Sequence, residues 1–92
     1  MTYKVIHSPR AEADLAKHIK SGDKATMKKI VRLLEELEKH PRSGTGKPEH
    51  LKHKEVETWS RRINDKHRMI YEIEDDIVTI DILSLWGHYG DK

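Results

Sequence analysis

Two arginines occupy facing positions in a predicted β-hairpin. The stretch WSRRINDKHRMIY, residues 59–71, is typical of two short strands joined by a polar turn. A three-residue turn at 64–66 places Arg62 opposite Arg68, whereas a two-residue turn at 64–65 places Arg61 opposite Arg68. In either register two like charges stand directly opposite each other, which is destabilising. Because a guanidinium binds phosphate in a bidentate manner, the pair predicts an anion-binding site.

The alternative interpretation of the arginine pair is an ordinary solvated face. Three carboxylates that are close in sequence, Asp65, Glu72 and Glu74, could neutralise the two charges. The hairpin alone leaves both interpretations open.

Two other segments carry groups suited to acid–base chemistry. The loop GKPEHLKH, residues 46–53, sets Glu49 among basic side chains, and a carboxylate in that setting can act as a general base. The tail LWGHYGDK, residues 85–92, carries His88 and Tyr89, and an imidazole can donate a proton at neutral pH. Considered separately, such a loop is more often an ordinary polar surface loop, and a terminal His-Tyr pair is usually part of the surface.

The set of Glu, Arg, His and Tyr contains no serine or cysteine nucleophile near a base. It therefore fits phosphodiester cleavage better than acyl transfer, because RNA supplies its own nucleophile, the 2′-hydroxyl. His50 and His53 raise the possibility of a metal ion, but no other histidine or cysteine follows at zinc-ligand spacing. The sequence predicts neither a metal site nor a cofactor.

The elements that must position these groups follow from periodicity and turn residues. A first strand is predicted at 3–7, and a helix with Ser8-Pro9 at its start carries Ala11, Leu15 and Ile19 on one face. A second helix begins after Asp23 and ends at Pro41. Further strands are predicted around 51–54, 58–63, 67–74 and 77–85, the last in the centre of the sheet. The order β-α-α-β-β-β predicts an α+β fold in which two N-terminal helices pack on one face of a mostly antiparallel sheet.

This layering assigns a face to each residue of the hairpin. In the three-residue-turn register the side chains that face the helices are Trp59, Ile63, Met69, Tyr71 and Ile73. Ser60, Arg62 and Arg68 share the opposite face, which such a sheet leaves open to water or ligand.

The chain has 92 residues, of which 37% are charged and 35% are hydrophobic, and we expect a single domain spanning 1–92. The net charge of +2 is compatible with a polyanionic partner. The absence of cysteine is typical of a reducing compartment, and no signal peptide or membrane-length apolar run is recognisable. We expect a soluble, cytoplasmic protein.

The three segments GKPEHLKH, WSRRINDKHRMIY and the terminal HY at 88–89 together resemble the YoeB/Txe group of the RelE toxin superfamily. That group comprises the ribosome-dependent mRNA interferases of bacterial toxin–antitoxin pairs. The resemblance implies a RelE-like fold and metal-independent endoribonuclease activity that leaves a 2′,3′-cyclic phosphate and a 5′-hydroxyl.

The resemblance also implies a role for each matched residue. Glu49 would deprotonate the 2′-hydroxyl, Arg68 would hold the scissile phosphate, and His88 would protonate the departing 5′-oxygen beside Tyr89. The basic positions that it assigns to RNA binding are Lys47, Lys52, His53, Arg61 and Arg62.

The partners implied by the resemblance are mRNA on the bacterial ribosome, a second copy of the chain and a cognate antitoxin that covers the site. Operator DNA would be bound only through the antitoxin complex. Two alternatives remain from the sequence: a non-catalytic RNA- or ribosome-binding inhibitor of translation, and a co-repressor that acts with the antitoxin.

Overall fold

Two helices cover one face of a five-stranded sheet in the computed structural model, which describes residues 2–87. The elements in chain order are β1 (Lys4–His7), α1 (Pro9–Ser21), α2 (Lys24–Leu37), β2 (Glu49–Leu51), β3 (Thr58–Arg62), β4 (Arg68–Glu74) and β5 (Thr79–Ser84). A single 3₁₀ turn, Asp75–Ile77, joins β4 to β5. The predicted α+β fold with both helices on one face of the sheet is confirmed.

The helices begin where the capping residues predict. Ser8 Oγ accepts a hydrogen bond from the Ala11 amide at 3.1 Å, and Gly22 ends α1 in the left-handed conformation with φ of 75°. The backbone hydrogen bond from Thr26 to the Asp23 carboxylate caps α2 and lowers the pKa of Asp23. The predicted end of α2 at Pro41 is wrong, because the helix ends at Leu37. A residue that precedes proline is disfavoured in the helical conformation, so the turn must begin earlier.

The sheet has the order β1-β5-β4-β3-β2, in which only β1 and β5 run parallel. The last strand therefore lies between two neighbours, as predicted. The strand predicted around 51–54 lies earlier, at Glu49–Leu51, because the chain reverses beyond it through His53, whose φ is 68°. Glu49 consequently belongs to a strand and not to the preceding loop.

The core lies between α2 and the inner face of the central strands. Its members include Ile30, Leu33 and Leu37 from α2, Met69, Tyr71 and Ile73 from β4, and Ile80 and Ile82 from β5. Burying each such side chain contributes about 1.5–3 kcal/mol, so this layer holds the sheet rigid under the functional residues. Among residues 2–87, no helix has the length and apolar character needed to cross a membrane.

Candidate functional site

The hairpin adopts the register that sets the two arginines face to face. Arg62 is paired with Arg68, and the Ile63 amide donates to the His67 carbonyl at 3.1 Å. Asn64 Oδ1 closes the turn by accepting from the amides of Lys66 and His67 at 2.8 and 2.9 Å. The three-residue-turn prediction is confirmed, and the two-residue alternative is excluded.

The arginine pair forms part of a cleft on the open face of the sheet. This cleft, with a volume of about 410 Å³, is lined by Lys47, Pro48, Glu49, Ser60, Arg62 and Arg68, and we call it the cationic cleft. Glu49 on β2 lies opposite Ser60 on β3, so it is two strands away from Arg68 on β4. Two strand spacings amount to roughly 10 Å, a gap into which a phosphodiester group could fit. Glu49 and Arg68 thus meet in one cleft.

The two arginines differ in how they are neutralised. Arg62 forms an ion pair with Asp65, whose side chain is 92% exposed, so the pair contributes little energy. Arg68 Nη1 donates to the carbonyls of Asn64 and His67 at 2.9 and 3.3 Å. No carboxylate within the described part of the chain forms an ion pair with Arg68. The solvated-face interpretation therefore holds in part for Arg62 and not for Arg68.

Glycine places the loop that precedes Glu49. The Arg62 amide donates to the Gly46 carbonyl at 2.6 Å, and this hydrogen bond holds the loop against the end of β3. Gly46 has φ of 88°, and a Cβ atom there would lie 2.9 Å from the Arg62 carbonyl oxygen. Only glycine can adopt this positive φ and lie this close to the Arg62 carbonyl without strain. Lys47 is the next residue, and the position of the loop brings it to the wall of the cationic cleft.

Arg61 lies in the core, and the prediction that it contacts RNA is wrong. The side chain is fully buried, because strand alternation turns it toward the helices when Arg62 faces the cleft. Each of its five N–H groups has an acceptor. The acceptors are Glu36 Oε1, the Tyr71 hydroxyl and the carbonyls of His40, Ser43 and Thr45. Arg61 therefore supports the cleft from below by fixing residues 40–45 to the sheet.

Glu36 is the carboxylate that balances this buried arginine. Burial acts to raise the pKa of Glu36, but hydrogen bonds from the Thr45 hydroxyl and amide and from Arg61 outweigh it, and the pKa lies below its ordinary value. The Thr45 bonds measure 2.6 and 2.7 Å. The carboxylate therefore stays charged at neutral pH and holds both the loop and the arginine.

The remaining basic positions lie away from the cleft. Lys52 and His53 are exposed and follow β2, and neither lines the cationic cleft. The His50 ring stacks on Trp59 with centroids 5.1 Å apart. In the described range 2–87, no group of three or more potential ligand side chains is placed to hold a metal ion.

The last described residues run beside Arg68. The Arg68 amide donates to the Gly87 carbonyl at 2.9 Å. His88 and Tyr89, the predicted acid and its neighbour, lie outside the described residues. The side chains that hold Leu85–Gly87, namely Asp14, His18 and His67, were missed by the sequence analysis. Asp14 and His18 are four residues apart on the face of α1 that carries Ala11 and Leu15. Two polar residues on a face that packs inward were the sequence signal for this role.

The opposite end of the open face is acidic. Glu72 on β4 lies directly opposite Asp81 on β5. Burial, followed by repulsion from Asp81 and Glu74, raises the pKa of Glu72. The folded protein therefore holds a proton on Glu72 more tightly than the unfolded chain does, and this group's contribution to stability falls as pH rises through the raised pKa.

We expect Glu72→Gln to stabilise the protein at pH 7 by about 0.2–1 kcal/mol, because it removes like charges from facing positions. The gain should vanish below about pH 4, where the wild-type carboxyl is also neutral. Urea unfolding of both proteins at the two pH values measures it. Glu57→Gln is the matched control with the opposite sign, since the hydrogen bond from Arg42 lowers the pKa of Glu57. A Glu72→Gln protein no more stable than wild type at pH 7 would contradict the expectation.

Comparison with known proteins bears on the same residues. A family profile described as the YoeB-like toxin of bacterial type II toxin–antitoxin systems matches residues 8–89. The chain belongs to this family. The matched range includes both helices, all the residues of the cationic cleft and the positions of His88 and Tyr89.

Individual members of the family are similar at the levels of sequence and fold. The Toxin YoeB of Mycobacterium bovis is 45% identical over 60 residues, which are 65% of this chain and 71% of that toxin. A YoeB dimer from Staphylococcus aureus has 37% identity and a TM-score of 0.79, covering 97% of this chain and 100% of that one. The heterotetrameric YoeB–YefM toxin–antitoxin complex from the same organism gives a TM-score of 0.75, also at 37% identity and with the same coverage.

Proposed function

We propose that this YoeB-family toxin is a ribosome-dependent endoribonuclease that cleaves mRNA in the A site and thereby inhibits translation. The observation that carries the proposal is the cationic cleft, in which Glu49 and Arg68 share the open face with Lys47 and Arg62. A carboxylate that accepts a proton and a guanidinium that stabilises phosphate charge are what cleavage by the RNA's own 2′-hydroxyl requires.

The reaction follows from these groups. Glu49 takes the proton of the 2′-hydroxyl, and the 2′-oxygen attacks phosphorus. The bond from phosphorus to the 5′-oxygen breaks, and His88 gives that oxygen its proton. Arg68 binds the non-bridging oxygens as negative charge accumulates. The products are a 2′,3′-cyclic phosphate and a 5′-hydroxyl, and no metal or cofactor takes part.

The position of Gly87 beside Arg68 supports the assignment of the acid. Gly87 is hydrogen-bonded to the backbone of Arg68, and His88 is the next residue in the sequence. Tyr89 orients the RNA beside it. Lys47 and Arg62 bind the RNA backbone within the cleft, and Lys52 and His53 extend the basic surface beyond it. Arg61 has no part in binding RNA, because it is buried.

The partners of this toxin follow from its family. YoeB of Staphylococcus aureus forms a dimer and a heterotetrameric complex with YefM. We infer by similarity that this chain forms a homodimer, binds a cognate antitoxin that covers the cleft, and reaches operator DNA only through that complex. Its site of action is the ribosome in the bacterial cytoplasm.

A purified translation system tests the proposed activity. We expect the wild-type chain to produce new mRNA ends at the A-site codon, located by primer extension, and Glu49→Ala and His88→Ala to lose most of them. The new upstream fragment should carry a cyclic phosphate that resists ligation until the ring is opened and the remaining phosphate is removed. Stalled ribosomes on intact message would contradict the nuclease proposal.

The alternative function is inhibition of translation by occupancy alone. It is favoured by the basic character of the cleft, since lysine and arginine side chains suffice to bind an RNA backbone. Such binding falls steeply with salt and leaves the message uncut. The same primer-extension measurement therefore separates the two functions.

A further inference from the structure

The segment Leu85–Gly87, which follows β5, is held by side chains that the proposed chemistry does not use. On the side of α1, Asp14 Oδ2 accepts from the Leu85 amide at 2.9 Å. His18 Nε2 donates to the Leu85 carbonyl at 2.8 Å. Both bonds are buried, so the backbone of Leu85 is fully satisfied by two side chains of one helix.

The other side of the segment is held by the hairpin. His67 Nδ1 accepts from the Gly87 amide at 3.0 Å, and the Arg68 amide donates to the Gly87 carbonyl at 2.9 Å. The Trp86 ring between them packs on His67 and His18, with centroids 4.2 and 4.7 Å away. The segment is thus held at Leu85 by α1, at Gly87 by the hairpin, and at Trp86 by ring contacts with both.

The cost of this arrangement indicates that it has a purpose. Asp14 and His18 are 3% and 2% exposed, and polar groups buried to that degree destabilise a protein unless they are hydrogen-bonded. Apolar residues at these two positions of α1 would leave the buried amide and carbonyl of Leu85 without partners, and each unpaired group destabilises the fold. The polar pair therefore ties the Leu85 backbone to one position, which apolar packing alone does not specify so narrowly.

We infer that Asp14, His18 and His67 form a clamp that fixes Leu85–Gly87, the backbone that leads to the proposed acid, against Arg68 and thereby supports RNA cleavage. They are positioning residues, since they act through the backbone of the segment. The inference rests on the proposed function, in which the residue after Gly87 supplies the acid. A displacement of about 1 Å in a reacting group can lower a rate by roughly 10²-fold, so a clamp on the preceding residues has a large effect.

Two pairs of substitutions separate the hydrogen bonds from the packing. Asp14→Asn keeps an oxygen that can accept from the Leu85 amide, whereas Asp14→Leu keeps a similar shape without an acceptor. His67→Asn places its amide oxygen near the position of Nδ1, whereas His67→Gln places its amide one bond further from the backbone. Both His67 variants lose the ring contact with Trp86, so the comparison between them isolates the bond to Gly87.

Single-turnover cleavage, RNA affinity and amide hydrogen exchange are measured on the full-length chain. We expect Asp14→Leu and His67→Gln to cleave about 10- to 100-fold more slowly with unchanged RNA Kd, and Asp14→Asn to stay close to wild type. His67→Asn should cleave faster than His67→Gln, because it keeps an acceptor for the Gly87 amide. The amides of Leu85 and Gly87 should exchange faster in the two slow variants. A purely structural role would weaken binding and cleavage together.

The inference is overturned if Asp14→Leu and His67→Gln cleave at the wild-type rate or keep wild-type exchange at the two amides. Should Asp14→Leu fail to fold, the His67 pair decides, because His67 is only partly buried. If the wild type itself cleaves no message, the proposed function and the catalytic purpose of the clamp fail together. The exchange rates then still decide whether the clamp holds the segment.

Discussion

Arg68→Ala should reduce the single-turnover rate of mRNA cleavage by about 10²–10³-fold, the loss typical of removing one group that stabilises developing negative charge. The guanidinium of Arg68 lies in the cationic cleft and forms no ion pair with a carboxylate of the described residues. Its charge is therefore available to a phosphate. Arg68→Lys should recover only part of the rate, because an ammonium cannot bind two phosphate oxygens as a planar fork does.

Stability provides the check that this loss is chemical. Among residues 2–87, the Arg68 side chain bonds only to two turn carbonyls, and it faces another cation, so its removal should leave the urea midpoint near that of the wild type. Arg62→Ala is the matched control from the facing strand, and we expect a smaller loss of rate because Arg62 is already paired with Asp65. An Arg68→Ala protein that cleaves within a few-fold of wild type would remove Arg68 from the mechanism.

Arg61→Met should lower the free energy of unfolding by about 3–5 kcal/mol, the cost of removing one partner from a buried ion pair. Methionine fills much of the volume but removes the charged partner of Glu36, which keeps only its bonds from Thr45 and the exposed Arg32. It also leaves the Tyr71 hydroxyl oxygen and three loop carbonyls without the Arg61 donor. A loss of that size is a large fraction of the stability of a small domain. Urea denaturation with linear extrapolation measures it.

The neighbouring arginine supplies the control for this prediction. Arg62→Met lies on the same strand, removes the same charge and disturbs only an exposed ion pair, so we expect a change within about 0.5 kcal/mol. Arg61→Lys should remain strongly destabilised, because three ammonium donors cannot replace five in a planar arrangement. If Arg61→Met and Arg62→Met unfold at the same urea concentration, the buried network contributes little and its assigned role is wrong.

The hairpin and the helix starts could be predicted because local signals specify them. Asn64 closes a turn with its own side chain, and Ser8 and Asp23 cap helices within three residues. Such contacts depend on sequence neighbours alone. The facing arginines followed directly from the turn length, and the structure has the predicted pairing.

The role of Arg61 could not be predicted in the same way, although its face could. Strand alternation sets Arg61 with Trp59 and Ile63 on the helix side, which was the available signal. Its carboxylate partner, Glu36, is 25 residues away in the sequence. Three of its other acceptors are backbone carbonyls, whose positions depend on the path of the loop and not on residue type. The family resemblance therefore predicts that Arg61 contacts RNA, whereas the structure places its side chain in the core.

The limits of β2 were obscured for a related reason. Three residues are too few to show alternation, and the positive φ at His53 that ends the segment is uncommon for a non-glycine residue. Glu49 and Arg68 nevertheless line the same cleft.

The first strand of this protein pairs with the last, and Ser8 donates a hydrogen bond to Leu83 across 75 residues of sequence. During synthesis β1 has no neighbour until β5 has emerged, and β4 lacks the strand that separates it from β1. Contacts between such distant parts of a chain form late in folding. The sheet is consequently complete only when β5 has inserted between β1 and β4.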